Sequence, residues 1–178
     1  MTRWPATPLT VLTPIRPGED RALTAHLDRW ASGGESPFSR MSSTHFARWV
    51  VLDRLGSDIP GGRRRERPLR MRYLLFSSTS NSPAAEHLEE LRLRLGPEVD
   101  AVWGHCVGYP GHHRRVAFHR YLRHNSLPIH QRFAAYDAAV PELRAALDLR
   151  DRHIAFAHDV QGMDEEQLHQ DFLRRFPR

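Results

Sequence analysis

Apolar residues in this chain change spacing along its length, and the changes mark out elements. Leu9-Thr10-Val11-Leu12-Thr13-Pro14-Ile15 is rich in β-branched residues and runs into the turn signal Arg16-Pro17-Gly18, which predicts a first strand. From Glu19 to Ala31 the spacing lengthens, and Leu23, Leu27 and Trp30 share one helical face. After the loop Ser32-Gly33-Gly34-Glu35-Ser36-Pro37, the run Thr44–Leu52 alternates as a second strand. Its period of two puts His45, Ala47, Trp49 and Val51 on one face and Phe46, Arg48, Val50 and Leu52 on the other.

Residues Asp53 to Arg72 lack apolar periodicity and contain Arg63-Arg64-Arg65-Glu66-Arg67, so they are expected to form an exposed, basic hairpin loop. Tyr73–Ser78 predicts a third strand. Ser82-Pro83 is a helix start, Leu88, Leu91 and Leu95 continue it, and Gly96-Pro97 stops it. Asp100–Val107 reads as a fourth strand closed by Gly108-Tyr109-Pro110-Gly111. Helices are then predicted over Arg114–His124, from Pro141 to about Ala157, and from the N-cap candidate Asp164 through Leu168, Phe172 and Leu173. This order gives an α+β fold: a ferredoxin-like βαββαβ domain over residues 1–110, with a helical extension over 111–178 packed on it. The first and third strands are expected in the centre of the sheet, with the second and fourth at its edges.

Composition narrows the functional classes. A chain of 178 residues with 40% hydrophobic and 26% charged content can bury a substantial core. No run approaches the ~18 apolar residues of a membrane span, and Met1-Thr2-Arg3-Trp4-Pro5 lacks a secretory signal, so a soluble cytoplasmic protein is expected. The single cysteine, Cys106, excludes an intramolecular disulfide and a cysteine-based zinc cluster within one chain. All 26 basic residues are arginine, which excludes Schiff-base chemistry on lysine and a P-loop ending in Gly-Lys-Ser/Thr. The net charge of +5 is read first as a solvated arginine surface and only second as a nucleic-acid footprint.

The candidate chemistry lies in the second and fourth strands and just beyond. His45 and His105, each sharing a strand face with a tryptophan, are candidate acid/base groups, or ligands to a metal or haem, beside an aromatic-lined cavity. The competing structural reading places each ring, hydrogen-bonded, at a strand end. Arg48, a guanidinium within an apolar run, would clamp a carboxylate or phosphate of a ligand, or pair with Asp53, Asp100 or a second subunit. Cys106 is a nucleophile or, more commonly for such a site, a buried thiol. The tract Gly111-His112-His113-Arg114-Arg115, with His119 and His124, has no acidic residue at i+3 or i+4, so no metal site is predicted from it. A Gly-x-Ser-x-Gly element is absent.

Over residues 9 to 110 the element order resembles the dimeric α+β-barrel superfamily, which includes cofactor-free monooxygenases, cyclases, isomerases and haem-binding enzymes. The resemblance implies a homodimer paired through its sheets, a small-molecule substrate, and a site between a sheet face and its helices. It implies acid/base or haem-dependent chemistry, with His45, Arg48, His105 and Tyr109 lining the site and His105 or His45 available to a haem. The alternative is a non-catalytic accessory or RNA-binding module using Arg63–Arg67 and the arginines near Arg114. RNA-binding sheets of this type display aromatics on the first and third strands, and Leu9–Ile15 has none.

Overall fold

Leu9, Val11, Thr13 and Ile15 are buried, and the residues between them are half-exposed, which is the burial pattern of a strand with one face on a core. The computed structural model describes residues 6–57, 65–130 and 138–176, with backbone only at 55–57 and 65–67. The chain is α+β and divides into two compact units, Met1–Val140 and Pro141–Arg178. The first unit holds β1 (Thr7–Pro14), α1 (Asp20–Ser32), β2 (Thr44–Ser57), β3 (Arg65–Ser80), α2 (Ala84–Arg94), α3 (Gly96–Trp103) and α4 (Arg115–His124). Helix α5 (Val140–Asp159) starts at its last residue, and α6 (Glu165–Arg175) follows. Helix α4, assigned by sequence to the extension, thus belongs to the first unit.

The sheet has the order β1-β3-β2 and is antiparallel throughout, with β3 in the centre. Leu74, Phe76, Ser78 and Ser80 of β3 are buried on the same period of two, and Phe76 pairs with Val11 on one side and Trp49 on the other. Against this face pack Leu23 of α1, Leu88 and Leu91 of α2, Val99, Val102 and Trp103 of α3, and Phe118 and Leu122 of α4, which form one continuous core. The opposite sheet face carries half-exposed Leu12, Tyr73, Leu75, Val50 and Leu52, and Phe46 is 48% exposed.

Two expectations need correction. Most of the connection expected at 53–72 is strand: β2 runs on to Ser57 and β3 begins at Arg65, and only 58–64 lies outside the described residues. This part of the hairpin extends past the end of β1, which pairs only with Tyr73–Ser80, so no core demands apolar alternation there. Pro68, opposite Arg54, is tolerated because β3 has a single neighbour at that level. The expected basic contacts Arg63 and Arg64 lie outside the described residues, as do the side chains of Arg65 and Arg67.

The second correction is the fourth strand. Residues Gly96–Trp103 are helical, and buried Leu95, Val99, Val102 and Trp103 follow helical spacing. A short apolar run such as Ala101-Val102-Trp103 cannot be assigned by periodicity alone, and the longer pattern beginning at Leu95 decides it. What remains of a fourth strand is an antiparallel bridge between Ile15 and Cys106. There the Val107 N–H donates to Pro14 O (2.9 Å), and the Arg16 N–H to His105 O (2.9 Å). Farther along the same edge the Leu12 N–H donates to Asn125 O (2.9 Å), and the Leu127 N–H to Thr10 O (2.8 Å).

In the second unit, Asp164 caps α6 as expected, its side chain accepting from the Gln167 N–H at 2.9 Å. The rings of Phe156, Phe172 and Phe176 contact one another there, and His153 stacks on Phe176 at 4.1 Å. Among the described residues, no helix is long and apolar enough to cross a membrane.

Candidate functional site: an aromatic cleft between α1 and β2

Alternation along β2 directs Ala47, Trp49 and Val51 toward the core face, where they are only partly covered. Trp49 is the centre of an aromatic cluster, with ring centroids 4.4 Å from Phe38, 5.7 Å from Trp30, 5.9 Å from Phe76 and 5.7 Å from Trp103. Its indole Nε1 is buried and has no hydrogen-bond partner among the described residues. Trp30 comes from α1, three residues after Leu27 and therefore on the same helix face. Phe38 comes from a single 3-10 turn, Pro37–Arg40, whose start is fixed by proline at its first position and by Ser36 Oγ accepting from the Phe38 N–H.

Helix α1 and strand β2 do not close on each other. A cleft of about 290 Å³ lies between them, lined by Leu27, Trp30, Phe38, Ala47, Trp49 and, among its polar groups, Arg48. A neighbouring lobe of about 450 Å³ is lined by Asp20, Thr24, Asp28, Asp53 and Arg72, and it shares Leu27 and Trp49 with the first. In this second lobe Arg72 reaches both Asp20 (3.3 Å) and Asp53 (3.8 Å). The Arg54 guanidinium, hydrogen-bonded to Asp53, holds that carboxyl below its ordinary value. Asp28 has no ion pair among the described residues.

The four residues singled out by sequence do not come together in one site. Arg48 lines the cleft, exposed, with its guanidinium carbon 5.7 Å from the Phe46 ring centroid and no ion pair among the described residues. His45 is exposed at a register shift, where Thr44 pairs with Ser80 and Phe46 with Thr79. His105 lies past the other end of the sheet, its Nδ1 2.7 Å from Glu19 Oε2. Between those ends β3 runs from Ser80 to Tyr73, a rise of about 23 Å, so the two histidines cannot ligate one haem iron within a chain.

Tyr109 belongs to a third group, around Asp100. Its hydroxyl donates to Asp100 Oδ1 at 2.6 Å, the same oxygen accepts from the His112 N–H at 2.9 Å, and Oδ2 lies 2.6 Å from His112 Nδ1. Burial opposes the charge on Asp100, but the hydrogen bonds from Tyr109 and His112 outweigh it and its carboxyl lies below the ordinary value. Burial and this same hydrogen bond push the Tyr109 phenol well above its usual range. Asp100, His112 and His113 each offer a ligand atom, all within 4.8 Å of one another, and among the described residues they are the group that could hold a metal. Sequence reasoning missed Asp100 because it lies on α3, outside the i+3 and i+4 positions of the histidine tract.

Two further groups have settled roles. Cys106 is buried, its Sγ accepts from Thr13 Oγ1 at 3.3 Å, and desolvation pushes the thiol up to about 11, so it stays protonated at neutral pH and is inert as a nucleophile. His87, not singled out by sequence, is buried with Nε2 2.9 Å from Ser78 Oγ, and burial lowers its pKa. No family model, curated protein or solved structure matches the chain. The clearest functional signal is the cleft, whose apolar lobe suits a planar hydrophobic body and whose Arg48 suits an anion.

Proposed function

We propose that this domain binds and transforms a small hydrophobic molecule carrying an anionic group, by acid/base chemistry in the cleft between α1 and β2. The observation that carries the reading is the pair of lobes joined at Leu27 and Trp49, one aromatic with Arg48 among its lining residues, the other lined by carboxylates. Trp30, Phe38 and Trp49 flank the planar part of the substrate, and the Arg48 guanidinium, free of any described ion pair, takes its carboxylate or phosphate. Asp20 and Asp53 are engaged by Arg72, which leaves Asp28 as the proton acceptor of the second lobe.

The placement is the one expected of the dimeric α+β-barrel superfamily, whose members site their chemistry between a sheet face and the covering helices, although the fourth strand on which that resemblance drew is helix α3 here. The row Leu12, Leu75, Val50 and Leu52 on the other sheet face supports a homodimer paired through that face. A haem-dependent version would require ligation by one histidine per chain; a Soret band on adding hemin that His105→Ala or His45→Ala removes would favour it.

The test uses 8-anilinonaphthalene-1-sulfonate, a planar aromatic anion, titrated by fluorescence. The wild-type chain is expected to bind it at one site per chain. Arg48→Ala and Leu27→Arg should each weaken binding by about tenfold or more, a loss of ~1.4 kcal/mol. Leu75→Ser, on the opposite sheet face, should leave it unchanged. Equal affinity across the three variants overturns the cleft as the binding site.

A further inference from the structure

The group around Asp100 is separate from the cleft and uses none of its residues. Helix α3 presents the Asp100 carboxylate to the turn that carries His112 and His113. That turn is shaped by Gly111 at φ +88, a left-handed conformation that a side chain would strain. His112 in turn sits against Gly96, where an added Cβ would lie 2.5 Å from its ring, so glycine is what allows the imidazole its position. The two histidine rings lie with centroids 3.7 Å apart.

We propose that Asp100, His112 and His113 bind a divalent transition-metal ion of the zinc class. Two imidazoles and one carboxylate are the nitrogen and oxygen donors such ions select, and their ligand atoms lie within 4.8 Å of one another. The carboxylate is held as metal-ligating carboxylates are held: Oδ1 takes hydrogen bonds from Tyr109 Oη and the His112 N–H, which fixes the orientation of Oδ2. Asp100 Oδ2 and His112 Nδ1 lie 2.6 Å apart, and an ion bound by both replaces the proton they share, which moves to His112 Nε2 or is released to solvent. His113 is exposed, so the ion enters from solvent. With three protein ligands, a tetrahedral ion keeps one position for water or an incoming ligand. Tyr109 is a positioning residue in this site, orienting the carboxylate without touching the ion.

The decisive experiment is calorimetric titration of the metal-stripped full chain with ZnCl₂, paralleled by the visible spectrum of the Co²⁺-loaded chain. One ion per chain is expected, with the d–d bands of a low-coordinate cobalt site. His113→Ala, at an exposed position that does not support the fold, should lower affinity at least tenfold with its urea midpoint unchanged. Tyr109→Phe should weaken zinc binding by about tenfold while the Co²⁺ bands persist. His124→Ala, an exposed histidine at the end of α4, should have no effect. Failure to bind zinc, or a loss spread evenly over His113→Ala and His124→Ala, overturns the site, the second result marking adventitious binding to surface histidines. Anilinonaphthalene sulfonate binding in the cleft is read in the same variants and should not change, so the two sites stand or fall separately.

Discussion

Trp49, beside the cleft at β2, keeps a buried indole N–H without a described partner, whereas on the far side of β1 a single carboxylate, Asp100, is engaged by Tyr109 and by both the backbone and the ring of His112. The two flanks rest on the same core, and the indole of one and the carboxylate of the other are treated in opposite ways. A buried donor left unpaired costs about 1–3 kcal/mol, and here it stands where the packing between α1 and β2 is incomplete. At the α3–α4 turn Asp100, Tyr109 and His112 satisfy one another, which ties the turn to α3, while the neighbouring Tyr121 hydroxyl is buried without a partner among the described residues. The contrast separates a surface able to receive a partner group from one whose groups are already arranged.

The contrast can be broken or sharpened by substitution. The largest effect belongs to the ground both flanks share: Trp103→Ala, removing a fully buried side chain that touches Phe76 and Trp49, should cost about 3–5 kcal/mol in urea unfolding. Next comes Asp100→Ala, which strands the Tyr109 hydroxyl and His112. With the carboxylate 37% exposed and water able to replace part of its bonding, about 1–2 kcal/mol is expected from the same measurement.

A third prediction concerns pH. His87 is pushed down by burial, and His26 by burial, then by Arg29 and His105, so each binds its proton less readily folded than unfolded. Below the unfolded value of 6.5 the unfolded chain takes up more protons, so stability present above that pH is lost as pH falls through and below it. Urea midpoints measured from pH 8 to pH 5 should fall, and the slope should flatten in His87→Gln. The smallest effects are expected from Arg48→Ala and His45→Ala, both exposed and each within about 0.5 kcal/mol of wild type by urea midpoint. Arg48→Ala would nevertheless lose the anionic probe.

Three strands, the helices at 20–32, 84–94 and 115–124, and the Asp164 cap are legible in the sequence, because each depends on local spacing or a capping residue. Helix α3 was not, since its apolar stripe is shared with Leu95, which also closes α2, and the alternation around Trp103 mimics a strand. For the cleft, alternation along β2 places Trp49 on the covered face and Arg48 on the other, and only the tertiary structure brings Arg48, Leu27 and Trp30 to the cleft's lining. The Asp100 group was beyond reach for a related reason. Its members lie twelve and thirteen residues apart and meet only if 96–103 is helical and the chain reverses at Gly108 and Gly111.

The loops that lie along β1 have a consequence for association between molecules. Along the outer edge of β1, the Thr10 and Pro14 carbonyls accept from the Leu127 and Val107 N–H groups, and the Leu12 and Arg16 N–H groups donate to Asn125 and His105 carbonyls. The loops carrying these groups lie along that edge, so an incoming strand meets a covered margin and not a continuous open row. On the opposite margin, the register breaks of β2 after Thr44 and after Leu52 interrupt the straight run that an incoming strand would need.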